Sequence, residues 1–194
     1  MHTLLPTFCG WALVGLFVAT EGRLRSDAVA RSRVPLPSDA GTTRRVGSAF
    51  GVAMLLLLIA PLLTTLLPAL VINRLPVRWV GVGLAAAGVG LRTWAQRSLG
   101  SFYTRTLRTA QNQTVVDRGP YAVLRHPGYG GALAMWLGAA LASGNLIVLA
   151  LLIGIMSVAY AVRIRHEEAM LIRALGEPYV RYCARTWRLV PHVF

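Results

Sequence analysis

Lysine is absent from this sequence, and acidic residues and cysteines are scarce. Its 194 residues include seven Asp and Glu and two cysteines. Charged residues make up 14% of the chain, against about 25% in soluble domains, so the composition favours a membrane protein. Cys9 and Cys183 are too few and too far apart for a disulfide framework or a zinc site. We therefore expect two free thiols and no metal.

The positive charge comes entirely from 20 arginines, which give a net charge of +13. Such an excess could serve binding to nucleic acid, binding to a membrane surface or membrane topology. The arginines cluster between apolar runs, and this distribution favours topology. We therefore expect no nucleic-acid partner.

Five apolar segments can cross a bilayer as helices, which takes about 20 residues each. They cover residues 4–20, 47–72, 76–95, 128–143 and 146–162. The second contains Pro61 and Pro68, so we expect its helix to end in the low-to-mid sixties. Only Gly144 and Asn145 separate the last two segments, which predicts a tight antiparallel hairpin. The predicted fold is an all-α integral membrane protein with about five transmembrane helices.

The loops between these segments differ strongly in charge. Seventeen arginines lie in the 21–46 loop, in the 97–127 connector or after residue 162, whereas the opposite side has Arg74 and, at the start of the third segment, Arg78. Loops rich in basic residues face the cytoplasm. We therefore expect the N-terminus outside and the connector and tail in the cytoplasm, in the inner membrane if the cell is bacterial.

Local signals divide the chain into an N-terminal membrane region, 1–96, and a C-terminal region, 97–194. After the fifth span, apolar residues repeat at helical spacing from 163 to 175 and predict an amphipathic cytoplasmic helix. Gly176 is suited to end it, and Glu177-Pro178 to start a second short helix with Tyr179 and Tyr182.

Paired glycines in the third segment, at 81 and 83 and at 88 and 90, superficially resemble a dinucleotide-binding loop. They lie inside an apolar helix, without the preceding strand that such a loop requires. Small residues at such positions let transmembrane helices approach closely, so we interpret these glycines as packing sites.

The stretch from Gln113 to Tyr129 is the first candidate site. Gly119-Pro120 predicts a turn, and Pro127 is placed to begin a helix. The first N–H groups of a helix are unpaired and attract anions, so Arg125 and His126 lie where a carboxylate would bind. Alternatively, both residues are anchors at the membrane interface.

The second candidate site is Arg163 to Glu168, where the last span leaves the hydrocarbon. Arg163 and Glu167 share a helix face, as do Arg165 and Glu168. These could be surface ion pairs of little energetic value. However, two of only seven acidic residues are adjacent here, and ionisable groups at membrane depth are often functional.

Together these stretches resemble the signature of the isoprenylcysteine carboxyl methyltransferase family, which related phospholipid methyltransferases share. The similarity covers about residues 97–194. It rests on these residues: Gly119, Pro120, Tyr121, Arg125, His126, Pro127, Tyr129, Arg163, Glu167, Glu168, Leu171, Leu175, Gly176, Tyr179, Tyr182 and Pro191. The sequence departs from the family at Gly128, where Met is common, at Ala174-Leu175-Gly176, and at His166.

The resemblance implies an S-adenosylmethionine-dependent methyltransferase, with S-adenosylhomocysteine as product and 97–194 as its catalytic region. It places these residues around the cofactor: Gln113, Val115, Gly119, Tyr121, His126, Pro127 and Tyr129. It also implies that Arg163 and Glu167 orient the reactants, supported by Arg125 and Glu168. The acceptor would be a lipophilic molecule that enters from the bilayer, with carboxyl O-methylation favoured. Phospholipid N-methylation, thiol S-methylation and a non-enzymatic scaffold or transporter subunit remain alternatives.

Overall fold

The computed structural model describes residues 4–23, 41–100 and 114–191. Within these ranges the chain forms helices and no β-strand, so the all-α prediction is confirmed. The α-helices are α1 (Leu5–Arg23), α2 (Thr42–Leu66), α3 (Leu75–Leu99), α4 (Pro127–Ser143), α5 (Leu146–Leu175) and α6 (Glu177–Ala184). Short 3-10 turns occur at Pro68–Leu70 and Gly119–Ala122. Gln113 lies outside the described residues.

Proline and glycine set the helix ends where the sequence predicts them. Helix α2 continues through Pro61 and ends at Leu66, just before the turn that Pro68 begins. Pro127 is the first residue of α4. Gly176 separates α5 from α6. Its φ of 61° is a backbone conformation that residues other than glycine rarely adopt.

Glycines bring α3 and α4 into backbone contact. A methyl group built on Gly88 would lie 2.4 Å from the Met135 nitrogen, and one on Gly81 would lie 2.6 Å from the Ala142 nitrogen. The packing interpretation is therefore confirmed for these two glycines. Methyl groups built on Gly83 and Gly90 would meet no described atom within 4 Å. Two residues along a helix turn the side chain by about 200°, so these glycines lie on the opposite face.

Aromatic residues fill the core where α1, α2 and α4 meet. Trp136 is fully buried. Its ring packs edge-on against Phe50 at 5.1 Å and against Phe17 at 6.5 Å between centroids. Edge-to-face contacts are the arrangement that aromatic pairs favour. This cluster fixes α4, whose first turn carries part of the candidate site.

Gly144 and Asn145 join α4 to α5 at the end of the bundle away from that turn. Gly144 has φ 76°, and Asn145 Oδ1 accepts hydrogen bonds from the first backbone N–H groups of α5. The buried Arg78 lies against Gly144 and donates to the Ala142 carbonyl at 3.1 Å and to the Thr7 hydroxyl at 2.7 Å. These contacts hold the start of α1 and the α4–α5 connection together.

Two of the described helices, α2 and α5, are long and apolar enough to cross a membrane. The apolar part of α1 is shorter. Along α2, exposed leucines recur about once per turn and give the helix an apolar outer face suited to lipid: Leu55, Leu58, Leu62 and Leu66. The count of five spans stays a prediction.

Candidate active site

The turn Gly119–Ala122 packs on the end of α3. Gly119 has φ 60°, and a methyl group built there would lie 2.7 Å from the Ser98 hydroxyl oxygen. Tyr182 of α6 holds the turn from the other side, donating from its hydroxyl to the carbonyl of Tyr121 at 2.8 Å and to that of Leu124 at 3.3 Å. Burial raises the pKa of Tyr182, so this hydroxyl stays protonated and remains a donor.

The segment after α6 runs beside residues 123–126 and is joined to them by backbone hydrogen bonds. Trp187 N donates to Val123 O at 2.9 Å, and Arg125 N donates to Trp187 O at 2.7 Å. His126 N donates to Arg188 O at 3.0 Å. We call residues 185–191 the tail strap. It brings Arg188 next to the start of α4.

Glu168 is the centre of a first charged network. Arg125 Nε donates to Glu168 Oε1 at 2.9 Å, and His126 Nε2 lies 3.3 Å from the same oxygen. Arg188 Nε of the tail strap donates to Oε2 at 3.0 Å. The carboxylate is nearly buried, so these partners compensate for its lost hydration. Arg165, which the spacing pairs with Glu168, is exposed.

The other described hydrogen bonds of Arg125 go to backbone carbonyls. Its Nη1 donates to the carbonyl of Cys183 at 2.7 Å and to that of Thr186. Arg125 therefore fastens the end of α6 and the tail strap to the start of α4. Burial raises the pKa of Cys183, which keeps its thiol neutral.

Tyr129 joins the two predicted reactant-orienting residues in a second network. Its hydroxyl donates to Glu167 Oε2 at 2.7 Å and accepts a hydrogen bond from Arg163 Nε at 3.1 Å. Arg163 is buried, and its Nη1 donates to the hydroxyl oxygens of Thr42 at 3.0 Å and Thr43 at 2.7 Å. The network thus runs from α2 through α5 and α4.

Aromatic stacking connects the two networks. The His126 and Tyr129 rings are stacked with centroids 5.7 Å apart, and Tyr160 follows at 5.2 Å from Tyr129. His126 is buried. A shift in the first turn of α4 would therefore move both networks together.

An apolar groove of about 520 Å³ lies between α2 and α5. Its walls are mostly aliphatic, and Thr42 and Arg45 are its polar lining residues: Thr42, Arg45, Ala150, Leu151, Gly154, Ile155, Val158, Ala159 and Val162. Thr42 also binds Arg163. The groove therefore borders the second network.

The structure brings most of the predicted site residues together. Arg125, His126, Tyr129, Arg163, Glu167 and Glu168 form the two networks, and Tyr121 and Pro127 are buried beside them. Val115 is partly buried. His166, for which the sequence suggested no role, donates from Nδ1 to Val162 O at 2.8 Å within its own helix.

Sequence reasoning missed Thr42, Thr43 and Arg188. The threonines lie at the first turn of α2, and Arg188 contributed only to the count of topological arginines. No residue spacing connects any of the three to α5. Among the described residues, no group of three His, Cys, Asp or Glu side chains could hold a metal ion.

The charges of the second network suit a ligand with both signs of charge. Glu167 has one described hydrogen bond, so its carboxylate can accept more or lie beside a cation. Arg163 provides a guanidinium for a carboxylate. A sulfonium or ammonium group therefore fits beside Glu167, and a carboxylate fits beside Arg163.

The fold is all-helical among the described residues, with two helices long and apolar enough to cross a membrane and a polar site formed by the start of α4 and the second half of α5. Residues 76–178 match the family model described as "Phospholipid methyltransferase", which spans α3 to the start of α6. The chain belongs to this family. The match confirms the resemblance that the motifs of 119–129 and 163–182 indicate.

One curated relative is the Protein-S-isoprenylcysteine O-methyltransferase of Schizosaccharomyces pombe. It is 29% identical over 103 residues, which cover 52% of this chain and 44% of that protein. The chain thus matches less than half the length of this relative. A solved structure of the eukaryotic intramembrane Ras methyltransferase ICMT (isoprenylcysteine carboxyl methyltransferase) superposes with a TM-score of 0.74 and 20% identity, over 100% of this chain and 68% of that one. This likeness establishes the shared fold.

Proposed function

We propose that this protein is an integral membrane methyltransferase that uses S-adenosylmethionine to methylate the carboxylate of a lipophilic acceptor. The observation that carries the proposal is the contact between the apolar groove and the Arg163–Tyr129–Glu167 network through Thr42. Family membership and the O-methyltransferase activity in the name of the curated relative support it.

S-adenosylmethionine supplies an electrophilic methyl group and a neutral thioether leaving group. Glu167 would lie near its positive charge, and the start of α4 with His126 would bind its carboxylate. Other residues proposed around the donor are Gln113, Val115, Gly119, Tyr121, Pro127 and Tyr129. Glu168 and Arg125 would hold this wall in place through the tail strap.

The acceptor would place its apolar chain in the groove and its carboxylate near Arg163. A carboxylate has no proton to lose before methylation, so the protein need not supply a base. Catalysis then depends on alignment and electrostatics in a site that excludes water. Because Thr42 and Arg45 of the groove come from α2, the N-terminal region 1–96 would contribute directly to the catalytic region 97–194.

For the membrane arrangement we propose five spans, with α4 and α5 as a hairpin and the C-terminal end of α5, α6 and the tail strap on the cytoplasmic side. The distribution of arginines supports this orientation. An acceptor would then enter sideways from the bilayer and meet the donor at the cytoplasmic interface.

Phospholipid N-methylation is the second candidate, and the family description favours it. A protonated amine must lose its proton before attack, and Glu167 is the carboxylate in the site that could accept it. The two candidates therefore differ in the importance of Arg163. For a carboxylate acceptor Arg163→Ala should abolish acceptor binding, whereas for an amine it should not.

The experiment is methyl transfer by the full chain in lipid nanodiscs. S-adenosylmethionine with a labelled methyl group is supplied together with native membrane lipids, and product mass is determined. A base-labile product that releases labelled methanol is a methyl ester, whereas N-methyl and S-methyl products resist base. Absence of both transfer and S-adenosylhomocysteine binding by calorimetry would refute the proposed function and favour a scaffold or transporter subunit.

A further inference from the structure

A further ion pair, largely shielded from solvent, lies outside the two networks, between α1 and α3. Arg92 donates to Glu21 Oε1 from Nε at 2.8 Å and from Nη2 at 2.7 Å. Gln96 Nε2 donates to the same oxygen at 2.5 Å. The two charged side chains are only 13% and 12% exposed. Burying such a pair costs hydration free energy that must be offset by good geometry, so a pure packing role has no evident advantage over apolar residues.

The other side of the guanidinium contacts the candidate site. Arg92 Nη1 donates to the Gly128 carbonyl at 3.0 Å. Gly128 lies in the first turn of α4, between Pro127 and Tyr129. A methyl group built on Gly128 would lie 3.3 Å from Arg92 Nη1, so the glycine leaves room for the guanidinium.

We propose that Glu21 and Arg92 are positioning residues for the methyl-donor site. Glu21 accepts hydrogen bonds from two nitrogens of the Arg92 guanidinium and so fixes its plane. The third nitrogen then donates to the carbonyl of Gly128. The first turn of α4 is thereby fixed in place, and with it His126 and Tyr129, which belong to the two networks. This inference rests on the proposed function. A planar guanidinium can make both contacts at once, whereas a lysine ammonium has no such fork.

Arg92→Lys separates positioning from stability, because the lysine keeps a charge for Glu21 but loses the geometry that reaches Gly128. We expect its dissociation constant for S-adenosylhomocysteine to rise about tenfold, which is about 1.4 kcal/mol, in a variant that still folds. The matched control is Arg97→Lys, which makes the same change at an exposed arginine of the same helix.

Gly128→Ala tests the same contact without altering a charge, and it serves if Arg92→Lys does not fold. Its methyl group crowds Arg92 Nη1, so weaker S-adenosylhomocysteine binding is again expected. Gly130→Ala is the control, since its methyl group would have only ordinary contacts, 3.7 Å or more from its neighbours. Wild-type affinity in the folded Arg92→Lys or Gly128→Ala variant would overturn this inference but not the proposed function. Absence of binding by the wild-type protein would overturn the proposed function and the inference with it.

Discussion

The hydroxyl of Tyr129 on α4 lies 2.7 Å from a carboxylate oxygen of Glu167 on the neighbouring helix α5. The same hydroxyl accepts a hydrogen bond from Arg163. Sequence spacing places Arg163 and Glu167 on one helix face, and the structure adds a phenol between their charges. A single hydroxyl therefore connects the cation and the anion that the proposed reaction uses.

Removing that hydroxyl with Tyr129→Phe should reduce turnover at least about tenfold. Hydrogen bonds to charged groups contribute about 1.5–3 kcal/mol, and 1.36 kcal/mol in the barrier changes the rate tenfold. The phenylalanine ring keeps the stacking with His126, so the fold should survive. Initial rates in nanodiscs and a melting curve measure the two effects, and wild-type turnover would contradict the predicted role.

Glu167→Gln keeps the shape of the side chain and removes its charge. We expect a sharp loss of turnover in a protein that stays folded, because the charge would face the methyl donor in the proposed site. Exchanging the charges, with Arg163→Glu and Glu167→Arg together, should not restore activity, since the charges of the reactants are fixed. Near-normal methyl transfer by the exchanged variant would mean that the two residues serve structure only.

His126→Ala should weaken S-adenosylhomocysteine binding at least tenfold, about 1.4 kcal/mol or more. The ring stacks on Tyr129 and contacts Glu168, so its loss disturbs both networks. His166→Ala is a matched control, because the described hydrogen bond of His166 stays within α5. Calorimetry on both folded variants measures the difference. Equal affinities would make His126 an interfacial anchor.

Gly88→Ala should destabilise the protein by about 1–3 kcal/mol, the usual cost of overpacking. Its methyl group would overlap the backbone of α4, which cannot move away as a flexible side chain could. Gly90→Ala adds the same atoms on the open face of α3 and should leave stability unchanged or slightly raised. Melting temperatures in detergent compare the two, and equal values would refute the close approach of α3 and α4.

Single cysteines can test the proposed orientation. Arg74→Cys and Arg173→Cys, each made with Cys9 and Cys183 changed to Ser, place thiols at exposed positions on opposite sides of the proposed membrane arrangement. In intact cells a membrane-impermeant maleimide should label position 74 and spare position 173. Both should react once the cells are opened. The reverse pattern in intact cells would show that the orientation is wrong.

Local signals allowed much of the fold to be predicted. Pro127, Gly176 and Pro178 determine helix ends through their own backbone preferences, so neighbouring residues suffice to locate them. The family motifs likewise identified the residues around Tyr129 and Glu167.

Long-range side-chain contacts left no such signal. Arg163 binds Thr42 from 121 positions away, and Arg92 binds Glu21 from 71. In the sequence Arg188 looks like any other arginine of a cytoplasmic tail. Which arginine side chains become buried depends on how the helices pack. No residue spacing within a single sequence shows that packing.

The tail strap also has a consequence for the order of events during synthesis. Arg188 and the carbonyl of Thr186 are among the last parts of the Glu168 network to leave the ribosome, long after Arg125. Until they dock, Glu168 lacks one of its cations and Arg125 one of its acceptors. The Glu168 network is therefore completed only after α4 and α5 have been made, and a partly made chain lacks the finished network.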